Sequence, residues 1–412
     1  MVNQENPVNT QQKLVQIDST LPLKTGRIHA MDSLRGLASF QVLIHHALGM
    51  SIFLFSVLKN PQPIASSFWT NLFTFSPIHI FWAGHEAVIF FFVMSGFVLS
   101  IPYYKNKGGS YLSFFVKRVF RIYVPYLIAI VIGLTLNSIF LGHGTMPSLS
   151  KWANAIFTKD YSAREIVALI IYLKGDFPKL VTSLWSLPVE IKISFIFPFV
   201  VIIVKRLSIP LTLILPVINM LFYHLGKKIG LQDIWNEFAL FYYFSFFLFG
   251  AALSKYQHLL LPVLNRLNRK VLLGLLLTAI ILYTYSWNIV WFPQPIFALL
   301  KKIPSDYVVA IAALLLIIIS ATNTVGKLLT NRCLEELGKI SFSLYLIHPM
   351  IMGIIAIVLG NTMPSYLIII LSIVFSILLA FPFHYWIEWP LQKLGRRLGD
   401  RIIKEETIVQ PT

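Results

Sequence analysis

The chain has 412 residues, of which 57% are hydrophobic and only 12% are charged, and its formal net charge is +17. This composition excludes an ordinary soluble domain, because apolar runs of about 18 residues, the length that crosses a bilayer, recur along the sequence. The positive charge does not require nucleic acid as a partner, since most Lys and Arg fall in segments that a topology of about ten spans places in the cytoplasm. The sequence therefore predicts an all-α, polytopic helical membrane protein.

The predicted spans occupy most of the chain, with both termini in the cytoplasm. Residues 1–26 lack hydrophobic periodicity and are expected to form a flexible cytoplasmic tail, residues 27–391 the transmembrane domain, and residues 392–412 a basic cytoplasmic tail. The first thirty residues contain no apolar run typical of a cleaved signal peptide. We place the spans near residues 36–56, 82–101, 122–141, 184–204, 208–225, 238–254, 271–289, 305–322, 340–359 and 366–386.

The first span carries ionisable residues at its start and in its interior. Asp32 and Arg35 lie at its mouth, and His46 lies within the apolar run. Arg35 and His46 are eleven residues apart, so they return to nearly the same helix face about 16 Å from each other. Arg35 alone is readily explained as an anchor. An ionisable pair on one face of a membrane helix instead indicates a functional site, because burying such groups in a bilayer is costly.

The second span combines ionisable and small residues. His85 and Glu86 lie at its outer mouth, where they are either solvated rim residues or contacts for a polar acceptor. Ser95 and Gly96 lie in the stretch F-F-F-V-M-S-G-F, and such small residues are typical of close helix packing.

Two arginines precede the third span. Arg118 and Arg121 are three residues apart and share a helix face. Anchoring by the positive-inside rule accounts for the neighbouring lysines, whereas a fixed pair of guanidinium groups also suits a phosphate-rich ligand from the cytoplasm.

The long loop that follows this span, from Gly142 to Thr182, carries aromatic residues such as Trp152. A long loop of this kind either covers a site or caps the bundle.

Polar residues recur at helical spacing in later spans. Ser186 and Glu190 lie at i and i+4 in the fourth span, and a carboxylate at membrane depth needs a partner, such as a structural Lys or a functional His. Tyr345 and His348 continue a polar stripe that begins at Ser341 in the ninth span.

The tenth span ends with a polar pair. His384 and Glu388 lie at i and i+4, and for His384 we favour an interfacial anchor. The sequence contains no metal-ligand spacing, P-loop or Gly-rich dinucleotide motif, and no Gly-x-Ser-x-Gly elbow of a serine hydrolase, so we predict no metal site.

Several motifs then combine in one order along the chain: M-D-S-L-R-G-L-A with His46, F-F-F-V-M-S-G-F, R-V-F-R-I-Y-V-P, L-W-S-L-P-V-E, S-L-Y-L-I-H-P and E-W-P. In this order the chain resembles the acyltransferase 3 family of membrane-bound acyltransferases over roughly residues 27–391. The spacing from Arg35 selects His46, not His45, as the match to the family's first-helix histidine. Many members carry an acidic residue just before the two phenylalanines of the second motif. This chain has Ile89 there, with Glu86 one turn earlier.

The resemblance implies transfer of an acyl group, most often acetyl from acetyl-CoA, to a hydroxyl of a surface glycan, a lipid-linked sugar or a small molecule. It implies the bacterial cytoplasmic membrane as the location. The expected partners are an acyl-CoA donor, a glycan acceptor and membrane lipid, with acetyl-CoA as co-substrate and no bound cofactor. The chain ends too soon for the extracytoplasmic SGNH-type domain that some members carry, so we expect the stand-alone form.

The resemblance also assigns roles to the candidate residues. A neutral His46 would accept the proton of the attacking hydroxyl, and Glu190 or another polar group would orient its ring. Asp32 and Arg35 complete the expected catalytic set, and Arg118 and Arg121 would bind the phosphates of CoA. The residues expected to line the acceptor pocket are Glu86, Ser95, Ser186, Tyr345 and His348.

Proteins of another class share these features. A secondary transporter is also apolar and polytopic, with buried His, Glu and Arg, but transporters usually show internal repeats with broken helices in matching positions, which this sequence lacks. A receptor or scaffold without turnover is a third possibility, against which the retained motif residues argue.

Overall fold

The computed structural model describes residues 25–64, 67–105, 108–231 and 237–409. Within these ranges every regular element is a helix and none is a strand, which confirms the predicted all-α fold. Residues 1–24, which make up nearly all of the expected N-terminal tail, lie outside the described ranges.

The long helices occur in the predicted order, but their ends differ from the predicted bounds, and the first and seventh predicted spans each contain a sharp bend. Side-chain caps set where several of them begin: the Asn268 and Asn331 carboxamides accept backbone hydrogen bonds at the first turns of the seventh and ninth helices. In chain order the long helices are α1 (Thr25–Gly49), α2 (Gly84–Tyr104), α3 (Tyr111–Phe140), α4 (Ser186–Arg206), α5 (Ile209–Lys228), α6 (Ala239–Arg266), α7 (Arg269–Tyr283), α8 (Ser305–Ser320), α9 (Arg332–Leu359), α10 (Ser365–Phe383) and α11 (Trp389–Val409).

Shorter helical segments form the connections. Two of these segments are π-helical turns, Val119–Tyr123 within α3 and His384–Glu388 between α10 and α11. The remaining segments are α-helical or 3-10 turns: Ile52–Lys59, Phe68–Thr74, Pro77–Trp82, Lys151–Asn154, Ala163–Ile170, Phe177–Leu180, Thr182–Trp185, Tyr285–Asn288, Ile289–Trp291, Ile296–Leu300 and Asn323–Leu329.

By length and composition, six helices in the described part of the chain are able to cross a membrane, and up to nine if each bent helix pair is one span. The three bent pairs join α1 to Ile52–Lys59 at 111°, α7 to Tyr285–Trp291 at 74°, and α8 to Asn323–Leu329 at 94°. Helix α6 matches the sixth predicted span but is not among these candidates, and it packs against α2 inside the bundle. The predicted number of about ten is thus roughly consistent with the structure.

Helices α1 and α9 run side by side at very short separation. A Cβ atom on Gly36 would lie 2.6 Å from the backbone nitrogen of Gly338, and one on Gly338 would lie 2.5 Å from the carbonyl oxygen of Asp32. The Ser39 hydroxyl donates to the Ser341 carbonyl in the same contact. Because only glycine permits this approach, the two helices are held in a fixed register.

The small residues of α2 form a second close contact. A Cβ atom on Gly96 would lie 2.1 Å from the Phe247 carbonyl oxygen, and one on Gly250 would lie 2.0 Å from that of Val93. Gly96 therefore has the packing role predicted for it, against α6.

The C-terminal helix α11 packs against the first turns of α3. Lys117 pairs with Asp400 at 2.7 Å, and the Ser110 hydroxyl donates to Glu406 at 2.7 Å. Residues 392–409, predicted as a basic tail, therefore form an ordered helix on the face of the bundle where α1 begins. We call this face the proximal face and the opposite one the distal face.

Candidate functional site

His46 on α1 and His348 on α9 form a direct hydrogen bond, with 2.8 Å between Nδ1 of His46 and Nε2 of His348. The other ring nitrogen of His348, Nδ1, lies 2.8 Å from the Leu344 carbonyl oxygen. A carbonyl only accepts, so Nδ1 of His348 carries the proton and its Nε2 is the acceptor when both rings are neutral. His46 therefore donates through Nδ1, which leaves Nε2 of His46 as a lone-pair nitrogen.

The surroundings of the two rings differ. His348 is fully buried, whereas His46 is only partly buried. The indole of Trp152 lies almost parallel to the His46 ring, with 5.4 Å between the ring centroids. His46 is thus the accessible member of the pair, and His348 fixes its ring from the protein interior.

The loop that carries Trp152 is tied to the helix ends on the distal face. The Ser150 backbone N–H donates to Met50 at 2.8 Å, and the Ser150 hydroxyl donates to Gly49 at 2.7 Å, both at the end of α1. The Ser148 hydroxyl donates to Gly360 after α9 at 2.9 Å. The long loop thus contacts the histidine pair directly, as expected of a loop that covers a site.

Glu190 does not orient His46 in this structure. Its carboxylate oxygen Oε1 accepts from Arg118 at 3.0 Å and from the Ser95 hydroxyl at 3.0 Å. The expectation of a Lys or His partner for Glu190 is therefore wrong, because α4 faces α2 and α3 at this level. The orienting contact to His46 comes from His348, which was expected only to line the acceptor pocket.

Three arginines converge at the proximal ends of α1 and α3. Arg35 pairs with Asp32 at 2.7 Å, and Arg118 pairs with Glu190. Arg121 lies close enough to Arg35 and Arg118 for the three positive charges to interact. The buried Nε of Arg118 has no hydrogen-bond partner among the described residues. With three cations and two paired carboxylates, this arginine cluster has the electrostatics of an anion site.

The π-helical turn Val119–Tyr123 begins directly after Arg118 and contains Arg121. Wider turns of this kind change the direction of side chains and are frequent at functional sites. The sequence pattern predicted the two arginines on one face of a regular helix and gave no sign of the π turn.

A second π-helical turn contains a buried polar network that the predicted site residues did not include. Glu388 is 2% exposed and accepts from His384 at 2.9 Å, from Ser343 and from Gln392 at 2.7 Å. The interpretation of His384 as an interfacial anchor is wrong, because its side chain is buried against this carboxylate. The i, i+4 spacing of His384 and Glu388 in the sequence was the signal for their contact. Glu388 also lies close enough to Arg121 for their charges to interact.

Two of the residues expected in the acceptor pocket lie next to the histidine pair. The hydroxyls of Ser186 and Tyr345 are 2.6 Å apart, and the Tyr345 ring contacts the His348 ring edge to face at 6.2 Å. Ser95 lies instead in the arginine cluster, bound to Glu190.

Glu86 lies in a separate buried cluster toward the distal face. It is 3% exposed and accepts from the Trp287 indole at 2.8 Å, so it is not a solvated rim residue. His85 is exposed and pairs with Asp306 at 3.0 Å. Of the two groups at the mouth of α2, only His85 has the exposure that a rim residue would have.

The described residues contain no group of three His, Cys, Asp or Glu side chains that could hold a metal ion. They instead place a potential base, His46, about 16 Å along α1 from a cluster of cations. A site with this layout suits an elongated substrate that is anionic at one end and reacts at the other.

Comparison with protein-family models assigns the chain to a family. The family model of the acyltransferase 3 domain, described as an acyltransferase domain, matches residues 28–385. Neither a curated protein nor a solved structure matches the chain. The family favours an enzyme over the secondary transporter that shares its composition. The chain belongs to the acyltransferase 3 family, and it is a membrane-bound O-acyltransferase.

Proposed function

We propose that the protein moves an acetyl group from cytoplasmic acetyl-CoA to a hydroxyl of a surface glycan or lipid-linked sugar at the bacterial cytoplasmic membrane. The hydrogen bond between His46 and His348 carries this proposal, because it leaves Nε2 of His46 free on a partly accessible ring. Acetyl-CoA acts as co-substrate, and no resident cofactor is assigned.

The reaction proceeds by general base catalysis. A sugar hydroxyl is a weak nucleophile, and Nε2 of His46 accepts its proton as the oxygen attacks the thioester carbonyl carbon. Collapse of the tetrahedral intermediate breaks the carbon–sulfur bond, and the thiolate takes the proton from His46 to give free CoA and the ester. Nε2 of His348 accepts from Nδ1–H of His46 and stabilises the imidazolium, a role that a carboxylate fills in other histidine-based sites.

The arginine cluster supports donor binding. Guanidinium groups bind phosphates in a planar, two-point geometry, and CoA carries its phosphates and its thioester at opposite ends of a long arm. Arg118 and Arg121 bind the phosphates in this proposal, with Arg35 and Asp32 beside them. Glu190 accepts from the Arg118 side chain, and Ser95 in turn donates to Glu190. The arm then extends along α1 toward His46.

Ser186 and Tyr345 are assigned to the acceptor side of the pocket, because their paired hydroxyls lie next to His348. Two hydroxyls able to donate and accept suit a sugar. Glu86 lies apart in its own buried cluster and is assigned to positioning the distal ends of α2 and α7.

The test compares surface glycans by mass spectrometry in cells that carry the wild-type chain, the His46→Gln variant or neither. Only the wild-type chain should add the mass of one acetyl group per modified hydroxyl. Purified protein should consume acetyl-CoA in the presence of the isolated glycan. Accumulation of a solute in proteoliposomes, without acetyl transfer, would contradict the proposal in favour of a transporter.

A further inference from the structure

A groove opens on the distal face, outside the histidine pair and the arginine cluster. It has a volume of about 810 Å³ and lies between the segment that ends the helix Ile52–Lys59 and the segment 290–301. Lys59 and Lys301 line it, with the carboxamides of Asn60, Gln62 and Gln294. None of the roles assigned above uses this groove.

Side-chain hydrogen bonds within and between the connecting segments hold the walls of the groove. The Trp291 indole donates to the Phe75 carbonyl at 2.6 Å, and the Tyr285 hydroxyl donates to the Leu300 carbonyl at 2.9 Å. On the other wall, the Asn71 side chain exchanges two hydrogen bonds with the backbone of Ile64, at 2.8 and 2.7 Å. These hydrogen bonds hold the two walls in place, and small-molecule sites are usually largely preformed.

The two lysines are not neutralised by neighbouring carboxylates. The lining residues include no Asp or Glu, and each ammonium group lies over an aromatic ring of its own wall, Lys59 at 5.5 Å from Phe55 and Lys301 at 5.7 Å from Phe297. Among the described residues neither lysine forms a salt bridge, so both charges are available to an anion.

The remaining lining groups are those that bind sugars. Carboxamides donate to and accept from hydroxyl groups, and Phe292, which is 48% exposed, offers an apolar ring to the C–H face of a pyranose. Cations from both walls, carboxamides and an exposed ring together match a saccharide that bears carboxylate or phosphate groups.

The position of the groove relative to His46 fits an extended acceptor. The helix Ile52–Lys59 turns 111° from α1, so it runs along the distal face rather than through the bundle. Its eight residues span about 12 Å, and Lys59 is the last of them, so it lies away from the end of α1. A polymer long enough to extend from the groove to His46 would place different sugar units at the two sites.

We infer that this groove binds an anionic saccharide and holds the acceptor chain while another of its sugar units reacts at His46. The inference rests on the proposed function for its catalytic meaning, although the binding itself is measured separately. The inference adds a negative charge on the acceptor to the proposed function. The histidine pair and the hydroxyls of Ser186 and Tyr345 do not distinguish a charged saccharide from a neutral one.

The test uses full-length protein in phosphatidylcholine nanodiscs, with a galacturonate hexamer as the acidic probe and maltohexaose as the neutral one. The wild-type protein should bind the acidic hexamer more tightly than the neutral one, and added salt should weaken the binding. The double variant Lys59→Gln, Lys301→Gln should lose about tenfold in affinity, because two partly solvated charge contacts disappear.

Lys302→Gln serves as the matched control, because Lys302 is exposed next to Lys301 but does not line the groove. This variant should bind the acidic hexamer with nearly wild-type affinity, and the double variant should bind acetyl-CoA unchanged. Equal affinity of the wild-type protein for both hexamers would overturn the inference, as would an equal loss in the control.

Anionic lipid is the competing source of negative charge. If nanodiscs with phosphatidylglycerol retain that lipid through Lys59 and Lys301 while the acidic hexamer binds in neither lipid, the groove is a headgroup site and the inference fails. Binding of the hexamer by a protein that does not consume acetyl-CoA in the presence of the isolated surface glycan would instead count against the proposed function and leave the ligand class of the groove supported.

Discussion

Nε2 of His46 is available as a base only because two hydrogen bonds fix the protons of the neighbouring ring. His46→Gln keeps a donor toward His348 but removes the nitrogen that takes the proton. Transfer should therefore fall by about 10²- to 10⁴-fold, the usual loss of a general base. Acetyl-CoA affinity should stay close to wild type. Steady-state rates and donor binding by the purified variant check both expectations.

His45 provides the control for this substitution. It lies next in sequence, and its Nδ1 contacts the Trp82 carbonyl oxygen at 3.2 Å, so His45→Gln preserves size and polarity at a site without access to His348. This variant should retain most of its activity. Full turnover by well-folded His46→Gln protein would exclude His46 as the base.

Arg121 is the sharper test of donor binding. Arg118→Ala would leave the partly buried Glu190 carboxylate without its cationic partner, and that alone should lower stability. Arg121→Ala avoids this problem. Loss of one charged phosphate contact, worth about 1.5–3 kcal/mol, should weaken acetyl-CoA binding by tenfold or more, and Arg121→Lys should recover only part of it.

Calorimetry on detergent-solubilised protein measures this loss. Arg397→Ala, which removes an exposed arginine of α11, should leave the affinity unchanged. If both alanine variants bound acetyl-CoA like the wild type, Arg121 would be no more than a topological anchor.

The sequence predicted the order of the long apolar helices and the placement of Arg35 and His46 along α1. It did not predict the partner of His46. His348 lies 302 residues further along the chain, and the periodicity of one helix does not reveal which other helix packs beside it. The same limit explains the assignment of Glu190 to His46, because its i, i+4 spacing carries no information on the facing arginine.

The glycine contact between α1 and α9 sets the distance between the two histidines. Gly36→Ala would place a Cβ atom 2.6 Å from the backbone of Gly338, and backbone atoms relax only by moving the whole helix. We expect a loss of about 1–3 kcal/mol in stability and a lower kcat with little change in the KM for acetyl-CoA. Thermal unfolding and steady-state kinetics measure these effects.

Gly49→Ala is the matched control on the same helix, because a Cβ atom there has no neighbour within 4 Å. This variant should behave like the wild type. Equal kinetics for the two alanine variants would show that close approach at Gly36 does not position His46.

The loop that carries Trp152 contains an acid-sensitive contact. The Lys159 ammonium group, followed by hydrogen bonds from Ser162, lowers the pKa of Glu165 from its usual 4.5 to about 2. A depressed carboxyl pKa contributes stability that is fully present above pH 4.5 and is lost as the pH falls toward 2. The wild type should therefore be more heat-stable than Glu165→Gln at neutral pH, and the difference should shrink below pH 4.5.

Melting curves of both proteins between pH 7 and pH 3 test this expectation. Tm values that differ by the same amount at every pH would assign the contribution of Glu165 to its helix-capping geometry alone.

The proposed reaction needs two chemically different faces of the helix bundle. The proximal face carries the arginine cluster and the basic helix α11, and the distal face carries the loop over His46 and the groove with Lys59 and Lys301. Charge counts along the chain predicted this polarity. They could not predict that α11 is bound to α3 through Lys117 and Ser110, because those contacts depend on how the ends of the chain meet in the fold.

The orientation of the bundle decides whether the arginine cluster can meet cytoplasmic acetyl-CoA. Basic residues favour the cytoplasmic side of a membrane, so the proximal face, with both ends of the described chain, should lie in the cytoplasm. Cys333 is the single cysteine, lies in the first turn of α9 at this face, and is exposed. A membrane-impermeant maleimide should therefore label Cys333 in spheroplasts only after permeabilisation.

In a Cys333→Ser background, Lys302→Cys on the distal face should be labelled in intact spheroplasts. Labelling of Cys333 in intact spheroplasts would invert the bundle and place the arginine cluster out of reach of cytoplasmic CoA.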